Sequence, residues 1–154
     1  GKTAMLFEAS THSAAALAGA NAAQTEALRT FGDHLGIAFQ LVDDLLDYRG
    51  DAATLGKNVG DDLAEGKPTL PLIYTMREGT AEQAALVRQA IQKGGLEDLE
   101  SIRNAVEAAG ALDYTAQLAR DFAERAIACL DLLPASPYRD ALAELSRFAV
   151  ARTH

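Results

Sequence analysis

The sequence lacks most of the features that tie a chain together covalently or direct it to nucleic acid or a membrane. It has no tryptophan and a single cysteine, Cys129, so no internal disulfide can form. The chain has only 14 lysines and arginines but 22 acidic residues, and the resulting net charge of -8 opposes binding to nucleic-acid phosphates. No apolar run is long enough to span a bilayer, and no basic-then-apolar signal segment opens the chain. These absences predict a cytoplasmic protein with no nucleic-acid partner and no stable membrane insertion.

Valine and isoleucine are also scarce, with 5 of each, whereas the 154 residues include 32 alanines and 21 leucines. Because alanine and leucine are strong helix formers and β-branched residues favour strands, this balance predicts helices. Apolar spacing, capping residues, glycines and prolines give approximate helix boundaries at 2–20, 22–48, 69–77, 80–93, 96–109, 112–133 and 136–153. We therefore predict an all-α domain, an antiparallel helical bundle.

The end of the second predicted helix is unusually acidic. At about 100° per residue, Gln40, Asp43 and Asp47 share one arc of that helix, Asp44 flanks it, and Gly36 leaves room for an approach to the backbone. Carboxylates near a helix C-terminus oppose its dipole, at about 0.3–1 kcal/mol each, and like charges at i,i+4 repel. A divalent cation would remove this conflict, and clustered hard oxygens suit Mg²⁺. The alternative is a solvated acidic face.

A polar, glycine-punctuated segment follows from 49 to 67, with one short helical turn predicted near Asp61. Between 43 and 67 the chain has seven acids and three bases, and two of the bases are Lys57 and Lys67. Loops of this length inside compact domains are usually functional or disordered. Acidic residues that could bind a metal, close in sequence to lysines that could bind phosphate, are the pattern expected of a diphosphate-binding site.

Four motifs in order resemble those of trans-type isoprenyl (polyprenyl) diphosphate synthases. Residues 36–47 (GIAFQLVDDLLD) are similar to the second aspartate-rich motif of that family, and 56–63 (GKNVGDDL) and 66–71 (GKPTLP) to the loop after it. Lys2-Thr3 matches a Lys-Thr pair on the preceding helix. The strongest likeness is to bacterial long-chain, octaprenyl-like synthases.

The resemblance implies a fold and a reaction. Residues 1–154 would form the C-terminal half of an isoprenoid synthase fold, since the family's first aspartate-rich motif is absent and its members are about twice as long. The complete enzyme would join an allylic diphosphate to isopentenyl diphosphate by ionisation, condensation and proton loss, with Mg²⁺ as cofactor and a homodimer as the usual assembly. This chain alone, which begins at Gly1 without Met, is expected to be an inactive fragment.

The resemblance also implies roles for single residues. Metal binding falls to Asp43, Asp44 and Asp47. Lys2 and Lys57 would contact the allylic diphosphate, and Thr3 and Gln40 would aim oxygens at the developing cation. Two residues would bind substrate. Phe39 would line the isopentenyl pocket, and Lys67 would order the loop or complete the positive field around the diphosphate.

Two other functions stay open at this point. One is a short-chain (farnesyl or geranylgeranyl) diphosphate synthase fragment, and the other is a non-catalytic helical association domain. The later helices are interpreted as scaffold, with core faces supplied by Leu86, Ile91, Leu99, Ile102, Val106, Leu118, Phe122, Ile127, Leu130, Leu142, Leu145 and Phe148.

Overall fold

The computed structural model describes residues 2–49, 60–94 and 98–151. Its elements are α1 (Lys2–Leu17), α2 (Ala22–Arg49), α3 (Asp61–Ala64), α4 (Leu70–Glu78), α5 (Ala81–Lys93), α6 (Leu99–Ala108), α7 (Ala111–Cys129), a 3-10 turn (Leu130–Leu132) and α8 (Pro137–Ala151). The described residues include no strand. The all-α prediction is confirmed.

Local signals account for most of the helix boundaries. The amide of Gln24 donates to Oδ1 of Asn21 at 2.9 Å, which caps the start of α2. Thr80 and Gln83 form a reciprocal capping box at the start of α5. α1 ends earlier than predicted, because Gly19 adopts φ 69° and the chain turns there, with the Ala20 amide donating to the carbonyl of Ala15 at 3.1 Å.

The chain divides into two compact units. The first comprises Gly1–Val42 with Gln117–His154, and the second comprises Asp43–Ala116. α2 and α7 each supply residues to both units.

Each unit has its own hydrophobic core. In the first unit the core gathers side chains from α2, α7, the 3-10 turn and α8, namely Phe31, Leu35, Ala126, Leu130 and Ala149. In the second unit it gathers the end of α2, α3 to α6 and the start of α7, including Leu45, Tyr48, Leu63, Leu72, Val87, Ile102, Val106 and Leu112. The end of α2 is therefore held on its apolar side by the second core, which fixes the direction in which its acidic side chains point.

One part of the core prediction is wrong. Leu145 and Phe148 of α8 are 50% and 66% exposed. The buried positions of this helix are Ser146 and Ala149, each one residue further along and thus rotated by about 100°. None of the described helices is both long and apolar enough to cross a membrane.

Candidate functional site

The acidic end of α2 combines one buried carboxylate with two that are partly exposed. Asp44 is 7% exposed, whereas Asp43 and Asp47 have intermediate exposure. The adjacent Leu45 and Tyr48 are fully buried, which sets Asp44 at the margin of the second core. Removing a carboxylate from water is costly unless a cation or hydrogen-bond donors compensate it.

Lys67 supplies a cation beside these acids. Its Nζ lies 2.8 Å from Oδ1 of Asp62 and 3.8 Å from Oδ1 of Asp44. The hydrogen bond with Asp62 raises the pKa of Lys67, and the charges of Asp62, Asp44 and Asp43 raise it further, against a smaller opposing effect of burial. The ammonium group is therefore held in its charged form among the carboxylates.

Backbone hydrogen bonds tie the turn around α3 to the end of α2. The Asp62 amide donates to Oδ2 of Asp47 at 3.3 Å, and the Gly60 amide donates to the Asp47 carbonyl oxygen at 3.1 Å. The Lys67 amide donates in turn to the Asp62 carbonyl oxygen at 2.9 Å. Asp47 thus acts both as a helix residue and as an anchor for the segment that bears Asp62 and Lys67.

Asp62 is a further acid beside this site, for which the sequence left open either a helix-capping role or a metal contact. Its side chain is 18% exposed and accepts the shortest contact that Lys67 makes with a carboxylate. The available signal was the Gly60-Asp61-Asp62 sequence within the family motif. Helical periodicity could not identify Asp62, because 15 residues separate it from Asp47.

A buried phenol lies next in sequence to these acids. Tyr48 is 1% exposed, and its hydroxyl lies 3.4 Å from Oγ1 of the buried Thr69. Burial raises the pKa of Tyr48, and the charges of Asp47, Asp62 and Asp44 add to this effect. Thr69 of the 66–71 motif therefore contributes to the packing of the second unit.

Carboxylate oxygens are the hard donors that Mg²⁺ and Ca²⁺ prefer, so the chemistry of this donor set fits a divalent cation. Within residues 2–49, 60–94 and 98–151, however, no three histidine, cysteine or acidic side chains are arranged to hold a metal ion. The metal roles of Asp43, Asp44 and Asp47 stay predictions. Lys57 lies outside the described residues.

The first unit contains the other predicted residues, on α1 and on the preceding turns of α2. The two helices approach closely at Gly32 and Gly36, which we call the glycine seam. A Cβ on Gly36 would lie 2.6 Å from Cα of Ala4, and one on Gly32 would lie 2.6 Å from the carbonyl oxygen of Phe7. The space at Gly36 that the sequence suggested for an approaching group is thus occupied by the α1 backbone.

This contact sets the surroundings of the N-terminal turn of α1. Lys2 is exposed and Thr3 is half-buried, respectively two residues and one residue before the Ala4 that rests on Gly36. On α2, Phe39 packs its ring against Phe7, with centroids 5.6 Å apart, and Gln40 is half-buried. The ring contact gives Phe39 a packing role, while its predicted role in substrate binding stays a prediction.

An all-helical fold with carboxylates on the last turns of one helix is the arrangement that the motifs predicted for isoprenyl diphosphate synthases. Comparison with known proteins makes the assignment definite. The family model described as Polyprenyl synthetase matches residues 1–109, and the chain belongs to that family.

Individual relatives agree with the family. The chain is 51% identical over 152 residues to the octaprenyl diphosphate synthase of Escherichia coli (strain K12), covering 98% of this chain and 47% of that protein. It is also 51% identical to an all-trans-nonaprenyl-diphosphate synthase (geranyl-diphosphate specific) of Rhodobacter capsulatus, covering 99% of this chain and 46% of that protein. The predicted resemblance to bacterial long-chain synthases is confirmed. The chain spans about half the length of these curated relatives.

A solved structure has the same fold. The polyprenyl synthase from Caulobacter crescentus CB15, crystallised with calcium and isoprenyl diphosphate, superposes with a TM-score of 0.90 at 45% identity. The match covers 99% of this chain and 47% of that one. That protein was therefore crystallised with a divalent cation and an isoprenyl diphosphate together.

Proposed function

We propose that this chain is the C-terminal half of a long-chain polyprenyl diphosphate synthase. The complete enzyme would elongate an allylic diphosphate with isopentenyl diphosphate. The observation that carries the proposal is the end of α2, where Asp43, the buried Asp44 and Asp47 share the last turns of the helix and Oδ1 of Asp44 lies 3.8 Å from Nζ of Lys67. Identities of 51% to octaprenyl and nonaprenyl synthases support a long-chain product over a short-chain one.

The reaction has three chemical steps. The allylic C–O bond breaks and its electron pair leaves with the diphosphate. The alkene of isopentenyl diphosphate then forms a C–C bond to the allylic carbon, and the adduct loses a proton to restore an alkene. The main demand on the protein is to stabilise the diphosphate as charge develops on it and to keep water from the cation.

In this proposal, separate groups of residues bind the metal, the diphosphate and the hydrocarbon part of the substrates. Asp43, Asp44 and Asp47 would hold Mg²⁺, which when bound neutralises charge on the diphosphate. Positive charge for the allylic diphosphate would come from Lys2 and Lys57. Oxygens directed at the developing cation would come from Thr3 and Gln40, and Phe39 would line the isopentenyl pocket. We further propose a cytoplasmic homodimer.

Binding tests the site independently of turnover. We expect Mg²⁺ and inorganic diphosphate, added together, to raise the melting temperature of the chain more than either does alone, because ligands that bind only the folded state stabilise it. The variant Asp43→Asn/Asp47→Asn should lose this response. The matched control is Asp140→Asn/Glu144→Gln, an exposed i,i+4 carboxylate pair on α8, which should keep it. No shift in the parent chain would contradict the proposed site and would favour a non-catalytic association domain.

Activity provides the second test. The chain alone should form no elongated product from an allylic diphosphate and isopentenyl diphosphate, because it spans about half of its relatives and lacks the first aspartate-rich motif. Measurable turnover by the purified chain would contradict the proposal that this chain is an inactive half of the enzyme.

A further inference from the structure

The ammonium group of Lys67 already contacts carboxylates, unlike that of a lysine whose partner is a bound phosphate. Its side chain is 44% exposed, yet Nζ is already engaged at 2.8 Å with Asp62 and lies 3.8 Å from Asp44. Asp62 and Asp44 are much less exposed, with side chains at 18% and 10%. The cation therefore rests on the acids from the solvent side.

The base of this side chain is also fixed. The Lys67 amide donates to the Asp62 carbonyl oxygen, and the Lys67 carbonyl oxygen accepts from the Thr69 amide, each at 2.9 Å. The preceding Gly66 adopts φ 67°, a conformation that residues with a Cβ rarely adopt. The turn therefore fixes where the Lys67 side chain starts, within reach of Asp62 and Asp44.

We propose that Lys67 is a positioning residue, an internal counter-ion that holds Asp62 and Asp44 together and competes with a divalent cation for them. This inference rests on the proposed function, since it takes Asp44 as part of a metal site. It revises the expected substrate-binding role of Lys67. A divalent ion arriving at Asp44 meets the repulsion of a fixed positive charge a few ångströms away.

The proposal predicts opposite effects on two ligands. Removing the charge in Lys67→Gln should tighten binding of Mg²⁺ alone, or of Ca²⁺ alone, about tenfold, as expected for a unit charge acting on a divalent ion at short range in a water-like dielectric. The metal-free melting temperature should fall, because the clustered carboxylates then repel one another more strongly. The affinity for diphosphate in saturating Mg²⁺ should stay within about twofold of the parent value.

Isothermal titration of the purified chain with each cation measures these affinities, and thermal unfolding measures the stabilities. Lys67→Arg keeps the charge and should keep the parent affinity for the cation. Arg88→Gln, which removes an exposed charge from α5, controls for net charge and should change nothing. Should Lys67→Gln be too unstable for titration at the working temperature, a larger melting-temperature gain with Mg²⁺ than in Lys67→Arg replaces the titration.

The outcomes separate the two proposals. Tighter cation binding by Lys67→Gln with unchanged diphosphate binding supports the counter-ion role. Unchanged cation affinity overturns it, and so does a loss of diphosphate binding, which would make Lys67 a substrate contact. If neither the parent chain nor Lys67→Gln responds to a divalent cation with or without diphosphate, the proposed function itself fails and this inference fails with it.

Discussion

The glycine seam between α1 and α2 allows a test in which two physical effects have opposite signs. In Gly36→Ala the new Cβ would lie 2.6 Å from Cα and 3.1 Å from the carbonyl oxygen of Ala4. Both atoms belong to the backbone of α1, so no side-chain rotation relieves the contact. The two helices must separate by several tenths of an ångström to accommodate one methyl group.

The magnitude follows from setting the two effects against each other. Overpacking a tight contact costs about 1–3 kcal/mol, and the upper part of this range applies where backbone must move. Alanine is favoured over glycine in a helix interior by about 0.8–1 kcal/mol. The net expectation is a destabilisation of about 1–2 kcal/mol, or roughly 3–6 °C in melting temperature for a chain of this size.

Thermal and urea unfolding followed by circular dichroism measure this difference. Ser13→Ala, at an exposed position of α1, reports the effect of helix propensity alone and should be neutral or slightly stabilising. A Gly36→Ala variant that is more stable than the parent would refute the seam, because helix propensity would then be the only effect present.

Two further predictions concern the second unit. Thr80→Ala should lower the free energy of unfolding by about 1 kcal/mol, because it removes the hydroxyl that accepts from the Gln83 amide at 3.2 Å. Thr80→Ser should keep most of this stability. Equal unfolding midpoints for Thr80→Ala and the parent would contradict the cap. The pKa of Tyr48 lies above its ordinary value of 10.0, so the phenol keeps its proton in the folded chain while it ionises in the unfolded one. Its contribution to stability is intact below pH 10 and is lost as the pH rises further, so Tyr48→Phe should lose less stability than the parent in alkaline titrations. Tyr138→Phe, at a site that is 83% exposed, should follow the parent, and parallel alkaline curves for all three chains would contradict the effect.

Much of the fold was predictable because its signals are local. The cap at Asn21, the capping box at Thr80 and the proline in the first turn of α4 act over three or four residues, so sequence alone located these helix starts. The acidic end of α2 was visible for the same reason, since one helical period sets the angles among its side chains. The family followed from the order of four motifs, and the match over residues 1–109 agrees with it.

Other features depended on contacts between distant parts of the chain, which no helical period specifies. The sequence placed a space at Gly36, but only the tertiary structure filled it with Ala4, 32 residues away by their numbering. The tertiary structure likewise decided that Leu145 and Phe148 face outward while Ser146 and Ala149 are buried, because the buried side of α8 depends on where its neighbours pack. The charge on Lys67 was evident from the sequence, whereas its engagement with Asp62 and Asp44 required the start of α3 to be tied to Asp47. Sequence thus determined the helices and their chemical groups, and tertiary packing decided which of those groups meet.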